Sequence, residues 1–325
     1  MSTPSRSRPV RPDPGLSVLV GERRQLINLA YRLLGSLTDA EDAVQETYAR
    51  WYAMPRARRD AIASPGGWLT KVAGRVCLDL LGSAQARRER YVGEWVPEPL
   101  PDRAEWAGGQ RGGAPADPAD RVTLDESVDM AFLVVLEAMT PAERVAFLLH
   151  DVFRFSFAEI AGIVGRTPVA CRQLASSARR RVRAARPHTT PAPQRALLIR
   201  DFKQAWEAKD IGALIGLLDP EAAVIADGGG LASAVLRPIE GSLRVARYAI
   251  GIADKASGQI LLERTVNGQP GLVAQRDGVT VAVMAFDIAD HRIRRIWAVR
   301  NPEKLRAWAP LITRGRAATA QPQLP

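Results

Sequence analysis

The chain has 325 residues, enough for two or three domains that each bury a core. Its net charge of +10 favours a polyanionic partner, although an excess of Arg over Lys can by itself raise the charge. Cys77 and Cys171 lie far apart in apolar helical patterns, which argues against a disulfide framework and a cysteine metal site. No window approaches the roughly 18 apolar residues of a membrane span. We expect a cytoplasmic protein without membrane contact, with a disordered leader over residues 1–15.

The first ordered unit is predicted over residues 16–93 and is helical. The segment "LINLAYRLLGS" (26–36) has apolar residues at helical spacing and ends at Gly35. Thr38 and Glu41 predict a capping box for a second helix, "DAEDAVQETYARWY". After the breaker "SPGG", the segment "WLTKVAGRVCLDLLGSAQARRERY" predicts a third helix. These three patterns predict a compact helical domain.

A linker is predicted over residues 94–120, which are dense in Pro, Gly and Ala and lack periodicity. A second helical domain follows over 121–186, where Thr140 caps a helix that begins with Pro141. The segment "SFAEIAGIVGRTPVACRQL" then predicts a helix, a turn at Gly165 and another helix. This order is typical of the helix-turn-helix motif.

The second helix of this motif carries a dense cluster of basic residues. No Asp or Glu occurs between Ile160 and Arg200. With Thr167 as cap and Pro168 at the start, one face is apolar and the other carries Arg and Gln, which read base edges and neutralise phosphates. A solvated basic end of an ordinary helix is the alternative. The residues predicted to contact DNA are Arg172, Gln173, Ser176, Arg179, Arg180 and Arg183.

The C-terminal part, predicted as one domain over 187–309, combines helix and strand. A helix is predicted over 195–218, and "RDG" and "ADH" predict hairpin turns in one curved antiparallel sheet. The predicted strands are 222–227, 259–268, 271–278, 279–290 and 291–301. His291 beside Asp290 stands in a turn, so no acid–base pair for catalysis is assigned. Residues 310–325 are predicted to be a disordered tail.

Several segments resemble a known family in order and spacing. "LINLAYRLLGSLTDAEDAVQETYARWY", "GWLTKVAGRVCLDLL" and "AMTPAERVAFLLHDVFRFSFAEIAGIVGRTPVACRQLASSARRRVR" resemble regions 2 and 4 of extracytoplasmic-function sigma factors. "EWVPEP" (94–99), "DGGG" (227–230) and "NPEKL" (301–305) resemble signatures of the subgroup with a fused SnoaL-like extension. The resemblance implies a multidomain fold with two all-α helical domains, sigma region 2 and a helix-turn-helix region 4, plus an α+β SnoaL-like cone-shaped domain.

The resemblance implies that the acidic helix of region 2 docks on the clamp of the largest subunit of core RNA polymerase. The residues alone agree, because Gly35–Ala49 contains four acids and no base. A solvated helix N-terminus, favoured by the helix dipole, is the alternative explanation of the acids. The polymerase-binding positions are Asp39, Glu41, Asp42, Gln45 and Glu46.

Region 2 of this family also melts and captures the upstream promoter element. Gly82 and Gln85 depart from the subgroup, where Arg is common, so fewer phosphates are expected to be held here. Trp68 is expected to pack in the core more than to stack on bases. The matching positions are Trp68, Arg75, Asp79, Arg87 and Arg88.

The resemblance implies that the linker signature and the glycine signature meet near region 2, so that the SnoaL-like domain can hold the promoter-binding parts in a given arrangement. The segment "NPEKL" follows the last predicted strand and places Asn301 and Lys304 at a domain edge. Leu231 replaces the Lys that commonly follows the glycine run, and we expect it to bury surface against the linker. The interdomain regulatory positions are Trp95, Pro97, Glu98, Pro99, Asp227, Gly228, Gly229, Gly230, Asn301, Pro302 and Lys304.

The leading prediction is therefore an alternative sigma factor that binds core RNA polymerase and promoter DNA and is modulated in cis by its C-terminal domain. No cofactor or metal is implied and no enzymatic activity is expected, while a small-molecule ligand of the C-terminal domain stays open. The main alternative is a ligand-responsive helix-turn-helix regulator that acts without polymerase. A cyclase or hydrolase with a helical tether is a third reading, which lacks catalytic residues.

Overall fold

A computed structural model describes residues 14–88, 91–101, 129–185 and 190–308, and of 14–21 and 84–88 only the backbone. The described residues do not include the predicted tail or residues 102–128, which belong to the predicted linker and region 4. They include only the last two residues of the predicted leader, Pro14 and Gly15, which begin α1. The N-terminal half is helical. Its helices are α1 (Pro14–Leu34), α2 (Leu37–Ala53), α3 (Arg56–Asp60), α4 (Pro65–Arg88), α5 (Met130–Glu137), α6 (Pro141–Phe147), α7 (Phe157–Val164) and α8 (Pro168–Ala185).

The helix starts follow local capping chemistry. Helix α2 begins earlier than predicted, because the hydroxyl of Ser36, and not Thr38, accepts the hydrogen bond from the Asp39 backbone. The predicted cap at Thr140 is confirmed and forms a full capping box with Glu143. Gly165 ends α7 with φ of 70°, which is the left-handed conformation that the predicted turn requires.

One apolar core joins α1, α2 and α4 to the helices that follow the linker. Leu29 and Leu69 of the first group and Leu148 and Ile160 of the second are fully buried in it. Arg144 of α6 contacts α1 and α5 together. Its Nη1 donates to the Leu33 carbonyl oxygen of α1 at 2.6 Å and to Glu137 Oε1 of α5 at 2.7 Å. The described parts of regions 2 and 4 therefore pack as one body.

Residues 190–308, called the cone below, combine helices with a mixed sheet. The predicted single helix over 195–218 is wrong, because Lys209 adopts φ of 55° and Asp210 caps a new helix. The elements are α9 (Ala192–Glu207), α10 (Ile211–Leu217), β1 (Leu218–Asp227), β2 (Ile239–Glu240), α11 (Ser242–Lys255), β3 (Gln259–Val266), β4 (Gln269–Arg276), β5 (Val279–Ala289), β6 (Arg292–Val299) and a 3₁₀ turn (Arg306–Trp308).

The six strands lie in the order β2-β1-β6-β5-β4-β3. The predicted hairpin turns are confirmed, since Asp277, Asp290 and His291 have positive φ between β4, β5 and β6. The prediction of an entirely antiparallel sheet is wrong at one pair, because β1 runs parallel to β6. After β1 the chain forms the edge strand β2, leaves the sheet through α11 and enters it again at the opposite edge as β3. The following strands run back across the sheet, which places β6 beside β1.

The two faces of the sheet have different partners. Helices α9–α11 cover the inner face, where Phe202, Trp206 and Phe286 belong to an apolar core. The outer face packs against Val96 of the linker and Met130 of α5 in a separate core. The outer face of the cone thus contacts the linker and the first described helix of region 4.

Candidate nucleic-acid interface and interdomain strap

Helix α8 presents a basic face to solvent. Cys171, Ala175 and Ala178 are buried on its opposite face, so the predicted division of the helix agrees with the packing. Thr167 Oγ1 accepts a hydrogen bond from the Ala170 backbone at 3.2 Å and fixes the start of the helix. Of the residues predicted to contact DNA, Ser176 and Arg179 are half-buried and Arg172, Gln173, Arg180 and Arg183 are exposed.

The arginines of α8 differ in what they contact. Arg179 Nε pairs with Asp151 Oδ1 at 2.7 Å, which orients it on the domain surface. The Arg172 guanidinium lies 5.6 Å from the centroid of the Phe157 ring. A surface groove between Arg166 and Arg180 includes Gln173 and Ser177. These contacts hold part of the basic face in place while leaving its outer donors accessible.

Helix α2 separates an apolar face from an acidic one. Ala40, Ala43, Val44, Thr47 and Trp51 are buried. Among the predicted polymerase-binding residues, Asp39 is half-buried and Glu41, Asp42, Gln45 and Glu46 are exposed. Glu46 pairs with Arg50 at 2.8 Å, and this exposed pair contributes little to stability.

Helix α4 is held against α7 of region 4. Arg75 Nη1 donates to the Ile163 carbonyl oxygen at 3.0 Å, and Arg75 Nε lies 3.4 Å from Asp79 Oδ1. Gly74 is buried where a side chain would meet Leu149 and Ile163. Both Arg75 and Asp79 remain about half exposed, with side-chain exposures of 50% and 58%. The predicted promoter-contacting residues of this helix are therefore accessible, but Arg75 is already engaged.

A second ion pair ties the same two helices. Lys71 Nζ lies 3.1 Å from Glu159 Oε1. Hydrogen bonds from the backbone and hydroxyl of Ser156, together with Lys71, lower the pKa of Glu159 to about 2. Trp68 lies half-buried with its ring centroid 5.2 Å from that of Trp51, in accord with the core role expected for it. The side chains of Arg87 and Arg88, at the end of α4, lie outside the described residues.

Residues 91–101, which we call the strap, cross the outer face of the sheet. The strap starts beside Asp227 at the end of β1, where the Tyr91 hydroxyl donates to Asp227 Oδ1 at 2.6 Å. It ends at Pro101, which forms a bridge with Val266 at the end of β3. The first part of the predicted linker is thus bound to the cone along its length.

A buried ion pair fastens the middle of the strap. Asp227 is fully buried, and its Oδ2 accepts from Lys304 Nζ at 2.7 Å and from the Val96 backbone at 2.9 Å. Lys304 also donates to the Val96 carbonyl oxygen at 2.5 Å and lies 4.0 Å from the centroid of the Trp95 ring. These contacts join the last turn of the cone to the strap through a buried charge pair.

The glycine run allows the backbone to approach the strap. Gly229 has φ of 61°, and a Cβ there would lie 2.3 Å from Asn301 Nδ2 and 2.9 Å from the Tyr91 hydroxyl. Asn301 Nδ2 donates to that hydroxyl at 2.9 Å. A Cβ at Gly228 would lie 2.1 Å from the Ala232 carbonyl oxygen of the local turn, and one at Gly230 would lie 3.2 Å from Val92 of the strap. The run therefore has no room for a side chain at Gly228 and Gly229 and little room at Gly230.

Leu231 and Pro302 take little part in this contact. The expectation that Leu231 covers the linker is wrong, because this residue is 61% exposed. Pro302 is also exposed, and its carbonyl oxygen accepts from the Leu305 backbone within the local turn. The other signature residues of the strap and cone are brought together.

Glu98 links the strap to region 2. It is buried between Pro97 and Pro99, and its Oε2 accepts from the backbone N–H of Leu37, the first residue of α2, at 2.7 Å. Burial raises the pKa of this carboxyl, and the hydrogen bond from Leu37 acts in the opposite direction. The Glu98 backbone donates to Gly35 and accepts from the Tyr31 hydroxyl at 2.6 Å.

The sequence did not identify four residues of this network, which are Tyr31, Tyr91, Asn267 and Trp308. Asn267 Oδ1 accepts from the Leu100 backbone, and Asn267 Nδ2 donates to the Tyr31 hydroxyl at 2.9 Å. Trp308 Nε1 donates to the Pro99 carbonyl oxygen at 2.8 Å, and Tyr91 joins Asp227 as described above. The dipeptide Asn267–Gly268 is a recognisable hairpin signal, but nothing local shows that its side chain reaches another domain.

The described residues contain no cluster of His, Cys, Asp and Glu that could hold a metal ion. Within the same part of the chain, no helix is long and apolar enough to cross a membrane. His150 Nδ1 contacts the Phe155 carbonyl oxygen at 2.9 Å, and His291 lies in the exposed turn predicted for it.

Comparisons with known proteins agree with these features. Residues 19–87 match Sigma-70 region 2, and residues 129–182 match Sigma-70 region 4. The chain is 35% identical over 298 residues to the ECF RNA polymerase sigma factor SigJ of Mycobacterium tuberculosis, covering 87% of this chain and 90% of that protein. It is 34% identical over 294 residues to the probable ECF sigma factor SigI of the same species, covering 90% and 95%.

The fold agrees as well. The crystal structure of Mycobacterium tuberculosis SigJ superposes with a TM-score of 0.70 at 32% identity, covering 91% of this chain and 99% of that one. The predicted fold class, with helical sigma regions followed by a SnoaL-like cone, is confirmed. The chain belongs to the extracytoplasmic-function family of RNA polymerase sigma factors.

Proposed function

We propose that this sigma factor binds core RNA polymerase through α2, contacts promoter DNA through α4 and α8, and is modulated in cis by its cone. The observation that carries the proposal is the separation of three surfaces in one chain. These are the acidic outer face of α2, the basic outer face of α8 and the strap that joins the cone to region 2.

The acidic face supports docking on a basic partner protein. Four of its five predicted residues are exposed, and none of them contributes to the core below the helix. A helix dipole explains acids in the first turn, but Glu46 lies more than two turns from the start of α2. The face therefore provides charge for association without serving the stability of the domain.

The basic face of α8 supports binding of the major groove. Arg172 and Gln173 stand near the start of the second helix of the motif, where side chains of this class reach base edges. Arg180 and Arg183 lie further along the same face and suit contacts to phosphates. Base contacts then give sequence preference and phosphate contacts give affinity.

The strap supports modulation by the cone. A charge pair as buried as Asp227 and Lys304 costs several kcal/mol to break on one side, so the strap is firmly held. Helix α5 of region 4 also packs on the outer face of the sheet through Met130. A change in the cone is therefore transmitted to both regions through direct contacts.

The inner face of the cone supports a structural role over a ligand-binding one. Phe202, Trp206, Met284 and Phe286 fill the space between the helices and the sheet. Trp206 Nε1 donates to the Ala249 carbonyl oxygen, so its polar atom is satisfied internally. A small-molecule site would need convergent polar groups in this space.

The test is a charge reversal on α2 in the full chain. Asp42→Lys with Glu46→Lys is expected to abolish binding to core polymerase and promoter-dependent transcription, while leaving the helical content unchanged because both side chains are exposed. Glu221→Lys with Glu240→Lys, two exposed acids of the cone, is the matched control with the same change in charge. Co-purification of the α2 variant with core polymerase at the level of the control would refute docking through this face.

A further inference from the structure

We infer that Glu98 is a positioning residue for polymerase binding, through which the cone fixes the first turn of the docking helix α2. The inference rests on the proposed docking of α2 on core polymerase. It assigns to the strap a specific target in region 2, namely the start of the helix that carries the acidic face.

The Glu98 carboxylate occupies the position of an external helix cap. Its Oε2 lies 2.7 Å from the backbone nitrogen of Leu37, whose N–H has no partner within the helix. The hydroxyl of Ser36 accepts from Asp39 and satisfies a second N–H of the same turn. An anion at this end also interacts favourably with the helix dipole. Two groups, one of them from the strap, therefore order the turn that precedes Glu41 and Asp42.

The backbone of Glu98 is fixed on both sides. Its N–H donates to the Gly35 carbonyl oxygen at 2.8 Å and its carbonyl oxygen accepts from Tyr31. Pro97 and Pro99 restrict the flanking backbone, and all three residues are buried. The carboxylate consequently has little freedom to leave the N-terminus of α2 while the strap stays in place.

The cone holds this arrangement from three sides. Lys304 binds the Val96 carbonyl oxygen two residues before Glu98, and Trp308 binds that of Pro99 one residue after it. Asn267 binds both Leu100 and the Tyr31 hydroxyl that contacts Glu98. A disturbance of any of these contacts displaces Glu98 from α2, so the ordering of the docking face depends on the cone.

The test measures the affinity of full-length variants for core polymerase. Glu98→Ala is expected to weaken binding by about 2- to 30-fold, the loss that corresponds to removal of a helix cap. Glu98→Gln keeps an acceptor oxygen and is expected to recover most of that loss. Glu94→Ala is the control, because Glu94 lies in the same strap and its side chain has no hydrogen bond to the described residues. Binding of duplex promoter DNA by α8 is expected to stay unchanged in all three.

A second measurement separates positioning from folding. Lys304→Met is expected to weaken polymerase binding in the wild-type background and to have a smaller effect in the Glu98→Ala background, because both changes act on the same cap. Additive effects, or equal losses of polymerase and DNA binding, would overturn the inference. If Glu98→Ala binds like Glu94→Ala while the α2 charge reversal abolishes binding, the inference fails and the proposed function stands. If the charge reversal has no effect, the proposed function itself fails.

Discussion

Helices α4 and α8 both carry arginines that the proposed function directs to promoter DNA, but their surroundings differ. Arg172 and Arg180 of α8 extend from an exposed face. Arg75 of α4 donates to the Ile163 carbonyl oxygen of region 4, and Lys71 of the same helix pairs with Glu159. The basic face of α8 therefore keeps most of its outer donors accessible, whereas α4 engages part of its polar face with region 4.

This difference shows that a basic helix face is defined by its tertiary contacts as well as by its sequence. The polar face of α8 follows from helical periodicity, since the buried Cys171, Ala175 and Ala178 lie on the opposite side. At the contact of α4 with α7, a Cβ added at Gly74 would lie 3.4 Å from Leu149 and 3.6 Å from Ile163, so only a side chain longer than that of Ala would have to displace them. A helix with the same charges and a larger residue at that position would present a different surface.

The largest effect is expected at the exposed face of α8. Arg172→Ala and Gln173→Ala are each expected to cost about 1–3 kcal/mol in binding of duplex promoter DNA and to relax preference at one base pair. Arg180→Ala is expected to weaken all sequences alike and to reduce the salt dependence by about one unit. Fluorescence titration against a set of promoter fragments distinguishes the two patterns. A sequence-independent loss in all three variants would remove base recognition from this helix.

An effect of at most that size, on stability instead of DNA binding, is expected at the junction of α4 and α7. Gly74→Leu places atoms against Leu149 and Ile163 and is expected to destabilise the protein by about 1–3 kcal/mol relative to Gly82→Leu. Gly82 lies in the same helix with no atom near its missing side chain, so both variants share the same gain in helix propensity. Urea unfolding gives the comparison. Equal stability of the two variants would show that α7 does not pack on α4 in solution.

Local patterns predicted most of the elements that position these sites. Thr140 and Thr167 were predicted as caps because the hydroxyl, the proline and the apolar spacing all lie within a few residues. The turns at Asp277 and Asp290 were predicted from dipeptides that favour positive φ. Helix α11 was not predicted, although Val245, Ala246 and Ala249 lie at the spacing of one buried helical face.

Long-range contacts were predicted only where the resemblance supplied them. The approach of Asp227 to the strap was expected from the signatures of the subgroup, which placed Asn301 and Lys304 only at a domain edge, and the structure brings all three residues to the strap. The contact of Glu98 with Leu37 spans 61 residues of sequence, and no local pattern encodes it. The parallel pairing of β1 with β6 was missed for the same reason, because it depends on where the chain returns to the sheet.

Transcription by a strap variant tests most directly the claim that the cone acts on region 2. Lys304→Met removes the cation that binds Asp227 and Val96, whereas Arg306→Met, at an exposed site in the same turn, is the control. We expect Lys304→Met to lower initiation by core polymerase at a cognate promoter by roughly 5- to 150-fold, the range of a coupling free energy of about 1–3 kcal/mol. Initiation at the level of Arg306→Met, with both variants folded, would contradict regulation by the cone through the strap.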